Sequence, residues 1–216
     1  MIDRFLSHCH LRRVPAKTVV LGAGDVSSSL FLVVEGSVTV IVEDENGNEI
    51  VMAYLNRGDF FGETGLFQQK PSYSAWVRTR NECLLGEISH TRFRELANDD
   101  PELLFELARQ LATRLRHTTV KVRDLAFLDV TGRIARTLLD LCQQPDAITH
   151  PDGMQLRISR QELGRIAGCS REMAGRVLKS LEEQSLIAVS GKTIVVFGAR
   201  PDSDKTIPLS RRFRHK

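Results

Sequence analysis

Apolar positions along the first ninety residues come in short β-branched runs: TVVL at 18–21, LFLVV at 30–34, SVTVIV at 37–42 and EIVMAYL at 49–55. Polar, mostly glycine-bearing breaks separate them, GAGD, EG, ENGN and NRGD. Such residues tolerate the positive φ of tight turns, and Asn46-Gly47 between two runs signals a hairpin. AWVRTR and CLLGEIS continue the spacing, so the pattern predicts a small antiparallel roll or barrel over residues 15–90.

The period then changes. Asp100-Pro101 offers an N-cap followed by proline at the first helical position, and Leu104, Leu107, Leu111, Leu115, Thr118, Val122 and Leu125 recur at steps of three and four. This predicts one long amphipathic helix. Its stripe is narrow over more than six turns, which fits a partner helix better than a globular core, so a homodimer seam is expected. Thr118 interrupts the stripe and Thr119 lies beside it. Threonine has little to recommend it in mid-helix, so the pair reads either as solvated hydroxyls or as a ligand contact.

A second helix is expected over 131–143 (TGRIARTLLDLCQ), ended by PDAITHPDG with its two prolines and a glycine. Beyond it, Ser159 and Glu162 form a capping box, with Leu163 and Ile166 facing inward. Gly168 ends that helix where a left-handed residue is favoured, and Ser170 caps the next. On the latter, Met173, Val177, Leu178 and Leu181 fall on the core side, and Arg171, Glu172, Gly175, Arg176 and Lys179 on the other. Two short helices joined by a glycine turn are a helix-turn-helix, and IAVS with TIVVFG supply a β-hairpin wing. An arginine fork can bond guanine O6 and N7 together, whereas a carboxylate accepts from cytosine N4 and is repelled by phosphate. Glu172 in this position therefore implies base reading. Arg160 and Gln161 sit at a helix N-terminal edge, where phosphates dock.

Charge sharpens this picture. The net charge is only +3, so nucleic-acid contact must come from a local patch, and residues 157–192 carry seven Lys/Arg against four Glu. Apolar residues at 42% and charged residues at 26% describe an ordinary globular chain. No run of eighteen apolar residues and no hydrophobic leader occurs, which leads to the expectation of a cytoplasmic protein without membrane contact. Cys9, Cys83, Cys142 and Cys169 show no paired spacing, and adjacent residues in His8-Cys9-His10 point apart, so no metal is expected. Nor do nucleophile–base spacing, a metal cluster or a P-loop support an enzyme.

The stretch GETGLFQQKPSYSAWVR, 62–78, reads as a cradle for a small ligand, with glycines for close backbone approach and the Glu63 carboxylate for hydroxyls. A phosphate at such a turn needs a cation.

Taken together, FLSHCH, EGSVTV, GDFFGE, SAWVR, AFLDVTGRIA, HPDGM, SRQELG and GCSRE resemble the CRP/FNR family of bacterial transcription regulators, over residues 5 to 198. The resemblance implies an α+β chain: a cyclic-nucleotide-binding antiparallel β-roll (1–99), a dimerisation helix and hinge (100–128) and a winged helix-turn-helix (129–198). The basic tail (199–216) lies beyond the resemblance and, with few apolar residues, is expected to be disordered. It implies a homodimer that binds a palindromic DNA operator. Arg171, Glu172 and Arg176 would read bases and Arg160 and Lys179 would touch the backbone, with Gln161 and Ser170 in the same DNA-binding set. The loop Thr149 to Gly153 would meet RNA polymerase, with a second patch at His10, Arg12 and Arg92. No haem or iron–sulfur cluster is expected, since Cys9 alone cannot hold one.

The same resemblance places Gly62 and Glu63 on the sugar-phosphate of cyclic AMP, with Glu63 on the ribose 2′-hydroxyl. Ser74 would contact the phosphate, and Thr118 and Thr119 the adenine from the two helices of the dimer. The family's phosphate-binding arginine, however, falls at Tyr73. Backbone N–H groups of the turn and the tyrosine hydroxyl are partial substitutes, and Lys70 or Arg114 are alternative cations, Arg114 having the simpler role of pairing with Glu63. Three expectations follow: weakened cyclic AMP binding, another nucleotide such as a cyclic dinucleotide, or an empty pocket with constitutive DNA binding.

Overall fold

The computed structural model describes residues 2–68 and 72–201. The chain divides into two compact units, Met1–Arg123 and Asp124–Lys216. Lys70 and most of the basic tail lie outside the described residues.

The first unit opens with a short helix, α1 (Ile2–Leu6), which the hydrophobic pattern does not announce. Eight strands follow: β1 (His10–Val14), β2 (Val19–Leu21), β3 (Ser29–Glu35), β4 (Ser37–Glu43), β5 (Glu49–Asn56), β6 (Phe60–Phe61), β7 (Trp76–Thr79) and β8 (Cys83–Ser89). They form two four-stranded sheets, ordered β1-β8-β3-β6 and β2-β7-β4-β5, and every pairing is antiparallel. The roll thus begins at His10 instead of residue 15. The expected hairpin joins β4 to β5, with the Asp44 carboxylate accepting from the N–H groups of Asn46 and Asn48.

Two further helices complete the unit, α2 (His90–Asp99) and α3 (Glu102–Phe127). Strand β3 shows why LFLVV is apolar throughout. Leu30 and Leu32 point into a cluster with Phe5, Phe60, Phe93, Leu96, Leu103 and Leu107, whereas Phe31 and Val33 point into one with Val38, Leu55, Phe61, Tyr73 and Val77. Alternating side chains on one strand therefore bury against helices on one face and the opposing sheet on the other. Leu107 belongs to this core and not to the seam stripe predicted for α3.

In the second unit α4 (Val130–Leu141) starts at Asp129, whose carboxylate accepts from Gly132 N–H. Strands β9 (Ile148–His150) and β10 (Gly153–Arg157) occupy the segment expected to be a loop. Then come α5 (Arg160–Ala167), α6 (Arg171–Glu183) and the wing strands β11 (Ile187–Ser190) and β12 (Thr193–Phe197). The sheet order is β11-β12-β10-β9. Among the described residues no helix is long and apolar enough to cross a membrane.

Candidate functional site

The cradle predicted at residues 62–78 is built where β6 leaves its sheet. Gly62 turns the chain at φ 82°, ψ 12°, and Glu63–Leu66 then close one 3₁₀ turn. Glycine is required here twice over: the conformation is left-handed, and a Cβ would lie 2.7 Å from the Ser29 carbonyl oxygen. The half-buried Glu63 carboxylate lies 3.6 Å from the Arg114 guanidinium of α3, as expected. Arg114 also donates to the Phe60 carbonyl and, at 3.3 Å, to Gln110 Oε1. Behind the turn, His90 Nε2 sits 3.0 Å from the Gly62 carbonyl oxygen.

Thr118 and Thr119 follow Arg114 by one turn of α3. Thr118 is half-buried and Thr119 exposed, its hydroxyl donating to the Leu115 carbonyl at 2.9 Å. That bond leaves the oxygen able to accept from an approaching ligand. Ser74 is exposed.

Tyr73 does something different from its expected part as a phosphate contact. The residue is 7% exposed and belongs to the core between the sheets. Its hydroxyl donates to the Ser29 carbonyl at 3.1 Å and accepts from Ser29 N–H at 3.4 Å. The phenol is a strut spanning to β3, already committed to the main chain and not aimed at an incoming anion.

Farther along α3 the Lys121 ammonium donates to the Val51 carbonyl, and burial pulls its pKa down to about 8. Asp59, beside the cradle, has its pKa raised by burial, against a hydrogen bond from Asn56 N–H. The Cys9 and Cys142 thiols are pushed up to about 12 and about 11, both by burial, as suits packing residues. Among the described residues no three His, Cys, Asp or Glu side chains gather as a metal site would require.

The second unit carries the face predicted to read DNA. Ser159 accepts from Glu162 N–H at 3.1 Å and Ser170 from Met173 N–H at 3.2 Å, so both predicted caps are made. Gly168 between them is left-handed, φ 66° and ψ 50°. Leu163, Ala167, Ala174, Val177, Leu178 and Leu181 are buried, with Met173 and Ile166 only half-buried; Ala174 takes the core position assigned to Met173. Arg160, Gln161, Ser170, Arg171, Glu172, Arg176 and Lys179 are all exposed.

Hydrogen bonds from its own backbone N–H, then from the Ser170 hydroxyl, lower the pKa of Glu172. Arg133 has a part that its place in the sequence does not suggest. Its guanidinium donates to the carbonyls of Ala167 at 2.9 Å, Gly168 at 3.2 Å and Leu128 at 3.0 Å. It therefore satisfies the open C-terminal end of α5 and ties the helix-turn-helix to the segment preceding α4. A lone arginine on an amphipathic helix gives no sign of this.

Comparison with known proteins agrees with both halves of this geometry. A cyclic nucleotide-binding domain matches residues 11–100, and a Crp-like helix-turn-helix domain matches residues 132–197. The cAMP-activated global transcriptional regulator Vfr of Pseudomonas aeruginosa is 62% identical over 202 residues, 92% of this chain and 94% of that one. The cAMP-activated global transcriptional regulator CRP of Salmonella typhimurium is 53% identical over 199 residues, 92% and 95% of the two chains. Among solved structures, the c-di-GMP responsive global regulator CLP of Xanthomonas campestris superposes with a TM-score of 0.86 at 48% identity, covering 91% of this chain and 98% of that one. With a nucleotide-type cradle, a helix-turn-helix and relatives matched over nearly their whole length, the chain belongs to the CRP/FNR family of transcription regulators and is not an enzyme.

Proposed function

We propose that this regulator binds a palindromic operator as a homodimer paired along α3, and that cyclic AMP, or a close relative of it, held against the Gly62–Glu63 turn gates that binding. The observation that carries the reading is the Arg114–Glu63 ion pair. It ties the sugar-phosphate turn to the helix bearing Thr118 and Thr119, so a ligand touching both has a direct mechanical route into the dimer seam. The cAMP-activated relatives support the choice of nucleotide.

The seam has its own support. Leu103, Leu107 and Gln110 face the roll, yet on the adjoining side of α3 Leu115 and Val122 are 69% and 60% exposed. Leu104 and Leu125 join them, the four positions being separated by 11, 7 and 3 residues, steps that stay on one side of a helix. Exposed leucines and valines in register on one helix face are the signature of an absent partner. Each protomer then presents one α6, with Arg171, Glu172 and Arg176 reading base edges, Ser170 and Gln161 at the rim, and Arg160 and Lys179 on phosphates. The β9–β10 turn around Thr149–Gly153 is the patch proposed for RNA polymerase, and His10, Arg12 and Arg92 on the first unit are a separate second patch, in a protein proposed to be cytoplasmic. Functionally the chain divides as 1–99 for nucleotide, 100–128 for pairing and hinge, and 129–198 for DNA.

Tyr73 makes the nucleotide site weak. A charge-assisted hydrogen bond contributes about 1.5–3 kcal/mol, and affinity changes tenfold per about 1.4 kcal/mol. Replacing an arginine fork by a phenol bonded to Ser29 thus costs on the order of 10²-fold in cyclic nucleotide affinity. This specific departure favours a second reading, in which the protein responds to a cyclic dinucleotide, as its c-di-GMP responsive relative is described as doing, or binds DNA without ligand. Calorimetric titration of cyclic AMP into wild type and Tyr73→Arg decides between them. The proposal expects measurable wild-type binding that tightens on the order of 100-fold in the variant; no binding by either protein removes cyclic AMP as the effector.

A further inference from the structure

The turn that carries Gly62 and Glu63 is held from behind by a buried glutamine of α3, Gln110. Strand β6 has two residues and lies at the edge of its sheet, with β3 on one side only. On its open side the main-chain groups of Phe60 need partners, and α3 provides them. Gln110 Oε1 accepts from Phe60 N–H at 2.8 Å, while Arg114 donates to the Phe60 carbonyl. Gln110 Nε2 donates to the Gly58 carbonyl at 2.9 Å and to Glu106 Oε1 at 2.9 Å.

The carboxamide thus takes the place of a missing strand's peptide group, accepting from one main-chain N–H and donating to a carbonyl two residues away. Its orientation is fixed by chemistry: Glu106 only accepts and Arg114 only donates, so the nitrogen must face Glu106 and the oxygen Arg114. The side chain is 6% exposed, and solvent cannot replace these bonds if they are lost. Phe60 precedes Gly62 by two residues, and in so short a strand its position sets that of the turn.

We infer that Gln110 is the positioning residue of the nucleotide turn: it registers β6 against α3, so that Glu63 is presented at a fixed height relative to Thr118 and Thr119. The inference rests on the reading of Gly62 and Glu63 as the sugar-phosphate turn. A carboxylate at 110 can still accept from Phe60 N–H but opposes the Gly58 carbonyl and the Glu106 carboxylate. A thioether of similar length fills the space and makes neither bond.

The test uses the full chain as wild type, Gln110→Met and Gln110→Glu. In ligand-free protein, amide exchange across residues 60–65 rises on the order of tenfold in both variants, while β3 and β8 amides hold their wild-type protection. Cyclic AMP binds on the order of tenfold more weakly to the variants. Wild type discriminates cyclic AMP from its 2′-deoxy analogue, and the variants lose that discrimination because Glu63 is no longer placed. Should Gln110→Met not fold, Gln110→Glu, which keeps one of the two main-chain bonds, carries the measurement. Selective exchange at 60–65 in a protein that binds no cyclic nucleotide sustains the positioning role and sinks the ligand reading alone. Unchanged exchange, or a uniform rise across the roll, overturns the positioning role.

Discussion

Tyr73 and Lys121 show how single side chains depart from what their type suggests. From the sequence the phenol is expected to contact a phosphate, yet its hydroxyl is bonded to Ser29 on both its donor and acceptor sides. Tyr73→Phe removes only that hydroxyl, so unfolding free energy should fall by about 1 kcal/mol while cyclic AMP affinity stays constant. Chemical denaturation and calorimetry check the two halves. An unchanged stability with a lower affinity would return the hydroxyl to the ligand. Lys121 has its folded pKa depressed by burial to about 8, so between there and the ordinary lysine range the unfolded chain holds more protons. Stability should therefore rise with pH through that window and be level with pH below about 8, where both states hold the proton. Denaturation midpoints across the window should show this slope, and Lys121→Met should lack it.

What was legible at this scale divides by locality. The Ser159 and Ser170 caps and the left-handed Gly168 depend on neighbours within a few residues and could be read directly. Gln110 and Tyr73 could not, because their partners lie 50 and 44 residues away. A glutamine on an amphipathic helix looks solvated until the strand edge beside it is known.

Elements repeat that division. The long apolar strands and α3 announce themselves by period, whereas β1 (HLRRV) carries four exposed residues ahead of its one buried valine and has no alternation to detect. It is a charged edge strand, blunted as exposed edges need to be. Helix α2 is short, and its Ser89 cap lies inside a stretch that reads as strand. The stripe on α3 was legible as apolar, but not which part of it served the roll: Leu107 is buried there and Leu115 is bare. Leu115→Glu should therefore leave the roll folded and abolish pairing, which sedimentation velocity reads as a shift from dimer to monomer. At the helix-turn-helix, Gly168→Ala forces a Cβ into left-handed backbone. It should cost about 1–2 kcal/mol and lower DNA affinity by loosening α6 against α5. Thermal unfolding together with duplex binding tests this.

At the scale of the whole molecule, one α+β chain carries a cyclic nucleotide-binding domain and a Crp-like helix-turn-helix domain, and its helix α3 both pairs Arg114 with Glu63 and exposes an apolar stripe. Each unit alone is common chemistry; regulation requires the ligand to favour one arrangement of the pair over another. The central claim is therefore differential affinity, and one experiment addresses it whatever the operator sequence. Duplexes selected from a random pool by the full chain at saturating cyclic AMP should converge on an inverted repeat with half-sites one helical turn, about 34 Å, apart. Anisotropy titration of that duplex should then show affinity falling at least about tenfold when the nucleotide is withdrawn. Equal affinity with and without cyclic AMP, or selection of a sequence lacking two-fold symmetry, would contradict the account.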